Sequence, residues 1–150
     1  MRIQDLTDLT TLADTDLIVV DDYQSAGVYT TKKMTVANLK SQLGLPKYII
    51  AVNLSQSGTS APTITEVFNN SGVTVTTTYQ SQGEYTLELS SAIMTSNKTI
   101  VTSTTGVLNP YILGITKQND LYITISTYNA SGTGVNNQLY NTSIKIEIYG

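Results

Sequence analysis

The chain carries few side chains that can take part in catalysis. Its 150 residues include no His and no Cys. This excludes a Ser-His-Asp triad, a thiol nucleophile, a disulfide framework and a His or Cys metal site. The remaining candidates are 11 carboxylates, eight Lys and Arg residues, ten Tyr and many hydroxyl groups. Proton transfer would need a carboxylate, Lys or Tyr with a strongly shifted pKa, so we expect no enzymatic activity and no cofactor.

The densest acidic cluster consists of Asp14, Asp16, Asp21 and Asp22. An Asp-x-Asp spacing could serve Ca²⁺, which takes about six to eight oxygen ligands. The cluster has neither the Gly at the sharp turn nor the closing Glu of an EF-hand loop. We therefore interpret these residues as solvated turn and cap positions beside a short strand, and we predict no metal site.

A second acidic pair, Glu84 and Glu88, is separated by four positions. Within one strand the two would share a face at about 13 Å, because a strand rises about 3.3 Å per residue. The paired carboxylates of a glycosidase lie about 5 Å or about 6.5–9.5 Å apart. We interpret the pair as outward polar positions of a half-buried strand.

Charge and hydropathy also limit the partners. The net charge is −3, and the eight Lys and Arg residues are scattered, with only Lys32 and Lys33 adjacent. A nucleic-acid-binding protein normally displays a basic stripe, so we expect no nucleic acid. No apolar run approaches the roughly 20 residues of a membrane span, so we expect no membrane insertion.

Residues 1–45 have the composition of an extended arm, with six of the seven Asp residues. We predict a strand at 17–20, a second at 30–34 that pairs with it around a turn at 24–27, and then a short helix. Thr35 has the character of a helix N-cap, Gly44 that of a helix stop, and Pro46 prevents the helix from resuming. Such an arm buries little by itself, because short isolated helices are marginal in water.

Residues 47–150 have the pattern of a β domain. The whole chain holds 25 Thr, 14 Ser, 11 Asn and 8 Gln, and Thr and Tyr suit a pleated, half-buried surface. Alternation is clear where Ile144, Ile146 and Ile148 share one face. We predict an antiparallel β-sandwich, for which a jelly roll is one option, preceded by the extended arm with its one helix. The predicted strands are 48–54, 63–69, 73–79, 83–89, 98–103, 111–117, 120–128 and 142–149.

The loops of the sandwich are candidates for contact, because recognition usually sits on loops that a rigid scaffold holds. The segments 55–61 and 130–137 are rich in Gly, Ser, Thr and Asn. The second contains Gly132-Thr133-Gly134, which resembles the start of a dinucleotide loop, but no helix follows it. We interpret it as an exposed, flexible loop. The ten Tyr residues suit strands, and a subset could serve a subunit or ligand surface.

Three stretches of the arm and three of the β domain carry a resemblance to a known class of protein. A short leucine-bearing lead precedes a D-x-D-L segment, and T-K-K-hydrophobic-T leads into a helix. In this the arm resembles the start of bacteriophage tail-fibre and head-fibre proteins, and the β domain is similar to the β-rich heads of phage structural proteins. The stretches are 3–6, 12–21, 31–40, 48–63, 83–87 and 97–99.

The resemblance implies a structural component of the virion. Since no shaft repeat is present, we expect a short trimeric head fibre or capsid-decorating protein with a sandwich head that can adhere to the host. Its partners would be sister chains, other capsid or tail proteins, and a host-surface glycan or receptor. The alternatives are a tail-fibre or receptor-binding tip and a carbohydrate-binding module. The expected attachment and trimer residues are Leu6, Leu9, Leu12, Leu17, Val36, Leu39 and Leu43, and the expected distal contacts are Ser57, Thr59, Ser131, Thr133 and Asn136.

Overall fold

The computed structural model describes residues 15, 17–25, 28–104 and 111–150, and the side chains of 20–31 lie outside that description. The chain is mainly β with one short helix, which confirms the predicted fold class. It divides into two compact units, residues 1–45 and 46–150. The elements are β1 (Leu17–Ser25), β2 (Val28–Thr35), α1 (Val36–Gln42), β3 (Tyr48–Ser55), β4 (Thr63–Asn69), β5 (Val75–Ser81), β6 (Glu84–Leu89), β7 (Thr99–Thr104), β8 (Ile112–Lys117), β9 (Tyr122–Tyr128) and β10 (Thr142–Ile148).

The N-terminal unit is built on an antiparallel pair, β1 and β2. Leu17 lies opposite Thr35 and Val20 opposite Lys32, and the register shifts between Tyr23 and Ser25. The two strands were predicted in this pairing, but both are longer than predicted. Residues 26 and 27 of the predicted turn lie outside the described residues.

Helix α1 begins and ends at the residues that the sequence marks for it. The Thr35 hydroxyl accepts a hydrogen bond from the Asn38 N–H at 3.1 Å, which confirms Thr35 as the N-cap. At the other end Gly44 has φ +66, which glycine adopts at low cost. The Gly44 N–H donates to the Ser41 carbonyl at 3.1 Å and the Leu45 N–H to the Lys40 carbonyl at 2.9 Å. These two bonds form a Schellman motif, which satisfies the last carbonyls of the helix.

The second unit is a sandwich of two four-stranded antiparallel sheets. Sheet I has the order β4-β3-β10-β7 and sheet II the order β5-β6-β9-β8. Three of the pairings join consecutive strands as hairpins, namely β3–β4, β5–β6 and β8–β9. The other three pairings, β3–β10, β7–β10 and β6–β9, join strands that are distant in the sequence. All eight predicted strands occur, and their ends differ from the prediction by at most two residues.

The core of the sandwich lies between the inner faces of the two sheets. Ile144, Ile146 and Ile148 alternate along β10 and are buried, as the sequence predicts. A fully buried aliphatic side chain contributes about 1.5–3 kcal/mol, so this cluster can stabilise the unit without help from the arm. The core residues are Ile50, Val52, Leu54, Val73, Tyr85, Leu87, Leu89, Met94, Ile123, Ile125, Leu139, Ile144, Ile146 and Ile148.

Candidate functional site

The N-terminal unit leaves several large apolar side chains in solvent. Leu17 is 58%, Val19 61% and Leu43 63% exposed. Leu17 and Val19 share one face of β1, because side chains alternate along a strand. Since water-exposed aliphatic side chains gain free energy when they are covered, this unit presents a surface that can associate with another chain.

The other residues of the predicted attachment set differ in their exposure. Val36 is only 5% exposed, so it packs inside the protein and is not available to a partner. Leu39 is half-buried. Leu6, Leu9 and Leu12 lie outside the described residues. Leu45, which the prediction did not include, is 48% exposed beside Leu43.

The two predicted contact loops meet at one end of the sandwich. The Asn137 N–H donates a hydrogen bond to the Gln56 side-chain oxygen at 2.7 Å, and the Asn137 side-chain oxygen accepts one from the Gly58 N–H at 2.5 Å. Segments that lie about 80 residues apart in sequence are therefore joined by direct hydrogen bonds. We call this end of the sandwich the loop end, made of residues 55–61 and 130–141.

Gln56 is the centre of a buried polar network at the loop end. Its side chain is buried, its oxygen also accepts a hydrogen bond from the Tyr85 hydroxyl at 3.0 Å, and its amide nitrogen donates to the Gly58 carbonyl at 2.6 Å. Burial raises the pKa of Tyr85, with a further contribution from Tyr79, while a hydrogen bond with Thr127 opposes the shift. Tyr85 is therefore neutral at physiological pH and acts as a donor to Gln56.

Asn136 holds the loop in place and is not a free contact residue. It is half-buried, and its side-chain oxygen accepts a hydrogen bond from the Gly83 N–H at 2.8 Å. The two backbones approach closely here: a Cβ on Gly83, which has φ +73, would collide with the backbone of Thr127 and Val135. A Cβ on Gly134 would collide with the Gln82 carbonyl. These glycines therefore serve backbone packing.

Ser131 and Thr133 lie in an exposed turn that Asn129 organises. The Asn129 side-chain oxygen accepts hydrogen bonds from the Ser131 N–H at 3.0 Å and the Thr133 N–H at 2.9 Å. This is the Asx-type turn in which a side chain substitutes for backbone partners. The segment was predicted to be flexible, but these bonds give it a defined conformation.

A shallow depression of about 480 Å³ lies at the loop end. Ser57, one of the predicted contacts, lines it, whereas Thr59 is exposed nearby. The depression includes Tyr140, which is 67% exposed, and the buried Leu139. Sequence analysis missed Tyr140, because a tyrosine in a polar loop gives no periodic signal. The remaining lining residues are Ser55, Gln56, Ser60, Ala61 and Thr63.

The acidic pair weighed for catalysis belongs to one strand of sheet II. Glu84 and Glu88 lie on the outer face of β6, where they alternate with the buried Tyr85 and Leu87, as predicted. Within the described ranges there is no group of three His, Cys, Asp or Glu residues that could hold a metal ion. Of the acidic cluster in the arm, Asp14 and Asp16 lie outside the described residues.

No family model, curated protein or solved structure matches the chain. In the part of the chain that the structure describes, no helix is long and apolar enough to cross a membrane.

Proposed function

We propose that this protein is a structural component of a phage virion. In this proposal it is a trimeric head fibre or capsid-decorating protein that attaches through the N-terminal unit. The sandwich is then the outward-facing head, and the loop end contacts the host surface.

The observation that carries the proposal is the contrast between the two units. The sandwich has fourteen buried core residues, whereas Val36 is the single buried apolar side chain among the described residues of the N-terminal unit. The exposed Leu17, Val19 and Leu43 gain from association. A stable interface of this kind buries on the order of 1,000 Å² or more in total. The resemblance of stretches 3–6, 12–21 and 31–40 to fibre attachment segments supports the same assignment.

A deletion of residues 1–45 tests the assignment. The remaining head should keep its β-sheet circular dichroism spectrum, because its core is complete without the arm. It should no longer sediment with purified phage particles, and light scattering should report a monomer. The full-length protein should form an assembly with three times the 16.2 kDa mass of one chain. A head that still binds particles would show that the anchor is not in the N-terminal unit.

Point substitutions provide a matched control, because each double variant replaces two exposed apolar side chains, one pair in each unit. Leu17→Ser combined with Leu43→Ser should abolish both the trimer and the binding to particles. Val67→Ser combined with Phe68→Ser removes side chains in the head that are 62% and 49% exposed, and this variant should behave like the parent protein. The opposite pattern would contradict the proposal. Electron microscopy of decorated particles would separate capsid from tail attachment.

A carbohydrate-binding module is the second candidate. Tyr140 favours it, because an exposed aromatic ring beside a depression lined with hydroxyl groups suits a sugar. A monomeric full-length chain that binds a glycan would favour this candidate over the virion component.

A further inference from the structure

The outer face of sheet II carries a row of threonines that crosses the whole sheet. Thr78 lies opposite Thr86, Thr86 opposite Thr124, and Thr124 opposite Thr116. Each of the four strands contributes one threonine, and directly opposed residues share a face of the sheet. Because neighbouring strands lie about 4.8 Å apart, the threonine side chains repeat across the sheet at about that spacing.

Polar side chains border this row on both sides. Glu88 lies opposite Tyr122 on one side, and Glu84 lies opposite Ser126 on the other. We call this surface the threonine face: the four threonines with Glu84, Glu88, Tyr122 and Ser126. It holds a shallow depression of about 410 Å³, lined by Gln80, Glu84, Thr86, Gln118, Tyr122 and Thr124.

The floor of the depression is rigid. The residues that alternate with the polar ones on β6 and β9 are Tyr85, Leu87, Ile123 and Ile125, and all four are fully buried in the core. Sites built on strands are more precise than sites built on loops. The hydroxyl groups of Thr86 and Thr124, on short side chains of these two strands, are therefore held at a fixed separation before any ligand arrives.

Tyr122 lies opposite the acidic residue Glu88 on the neighbouring strand. The Glu88 carboxylate raises the pKa of the Tyr122 phenol, first through its negative charge and second through a hydrogen bond. The phenol therefore remains protonated at neutral pH.

The side chains that line the depression indicate which class of ligand it binds. Among the described residues that line the depression, two amides, two threonine hydroxyls and a carboxylate offer both donors and acceptors, and no Lys or Arg is present. An anionic ligand would be repelled by Glu84 and Glu88. A lipid or an apolar peptide would leave the polar groups of the floor without partners. Sugar hydroxyls both donate and accept, and a sugar ring also packs on an aromatic side chain.

We infer that the threonine face binds a neutral oligosaccharide. The inference rests on the proposed function, in which the sandwich is the outward-facing unit, and it assigns that unit a ligand class and a surface. It adds to the loop end a second contact surface, on the sheet, at a depression distinct from the one beside Tyr140.

Binding of neutral and anionic oligosaccharides to the full-length chain tests the inference. The probes are gluco-, manno-, galacto- and xylo-oligosaccharides on an array, with sialylated and sulfated oligosaccharides as the anionic set, followed by calorimetry on the best binder. We expect at least one neutral probe to bind and the anionic probes to be rejected. Absence of neutral binding at millimolar probe concentration, or preference for the anionic set, would overturn the inference.

Substitutions locate the binding surface. Thr86→Val combined with Thr124→Val removes two hydroxyl groups without changing side-chain volume and should weaken binding at least tenfold. Tyr122→Ala should weaken it as much, and Tyr122→Phe should restore binding in part. Tyr140→Ala is the matched control at the other depression and should leave binding unchanged. If Tyr140→Ala abolishes binding and the threonine variants do not, the sugar binds at the loop end and the inference is wrong.

A second pair of substitutions and a separate particle-binding assay distinguish loss of the sugar site from misfolding and from failure of the proposed function. Gln80→Ala combined with Gln118→Ala changes two exposed side chains that line the depression, so a binding loss in this pair supports the inference even if the central pair fails to fold, and unchanged binding contradicts it. Attachment to particles is measured separately with the deletion of residues 1–45. A chain that binds the sugar but not the particle contradicts the proposed function and leaves the sugar site intact.

Discussion

Replacement of Gln56 by alanine should separate the two loops that form the loop end. In the parent protein this buried side chain accepts hydrogen bonds from Tyr85 and Asn137 and donates one to Gly58. The alanine variant leaves the Asn137 N–H and the Tyr85 hydroxyl without this acceptor. The Tyr85 hydroxyl keeps a longer hydrogen bond of 3.4 Å to the Asn136 side-chain oxygen, so the variant leaves it only partly unsatisfied.

The expected loss in the free energy of unfolding follows from the number of buried polar groups that lose a hydrogen-bond partner. Each buried polar group left unsatisfied costs about 1–3 kcal/mol, so two donors, one of them partly compensated, give a loss of about 3 kcal/mol. For a unit of this size, 1 kcal/mol lowers Tm by about 4–8 °C. We therefore expect Tm to fall by more than about 10 °C.

Urea denaturation and amide hydrogen exchange measure the two consequences. The free energy of unfolding should fall by about 3 kcal/mol, and protection should be lost at the Gly58 and Asn137 amides while the β10 amides keep theirs. Gln138→Ala is the matched control, since Gln138 lies in the same loop and donates a single hydrogen bond of 3.0 Å to the Asn136 carbonyl. It should cost about 1 kcal/mol or less. Equal effects of the two variants would refute the central role of Gln56.

Three further predictions concern single buried groups. Thr142→Val should stabilise the protein by about 1 kcal/mol in urea denaturation, because among the described residues the buried Thr142 hydroxyl has no hydrogen-bond partner; Thr142→Ser, which keeps the hydroxyl, should not. Gly83→Ala should cost about 3 kcal/mol or more and lower Tm measurably, because its Cβ collides with backbone in a conformation that alanine disfavours. The free energy of unfolding should fall as the pH rises above 10.0, the ordinary pKa of tyrosine, because the unfolded state releases the Tyr85 proton at a lower pH than the folded state does. Tyr85→Phe should reduce the slope of this fall by up to about 1.4 kcal/mol per pH unit.

The strands could be predicted because their pattern is local. Ile144, Ile146 and Ile148 repeat with the period of a strand, and turn residues separate each run from the next. The helix ends were equally predictable, since Thr35 and Gly44 act on backbone groups within a few residues. Each of these signals is contained in a short window of sequence.

The surfaces could not be predicted because they depend on pairing between distant segments. The threonine row forms only when the register aligns Thr78, Thr86, Thr124 and Thr116, and alternation alone does not set the register between strands. Gln56 likewise has the composition of a loop residue, and its partner Asn137 lies 81 positions further along the chain. The sequence indicated that both loops were exposed but not that buried side chains joined them.

Two of the four edge strands of the sandwich are interrupted by bulges. β4 and β5 are edge strands, and each departs from regular pairing: the register between β3 and β4 skips Val67, and that between β5 and β6 skips Gln80. Bulges on edge strands hinder pairing with a further strand. A strand from another chain would therefore pair poorly with the sandwich at these two edges. The other two edge strands, β7 and β8, pair with their neighbours without a register shift, so an added strand would meet a regular ladder only at these two edges of the sandwich.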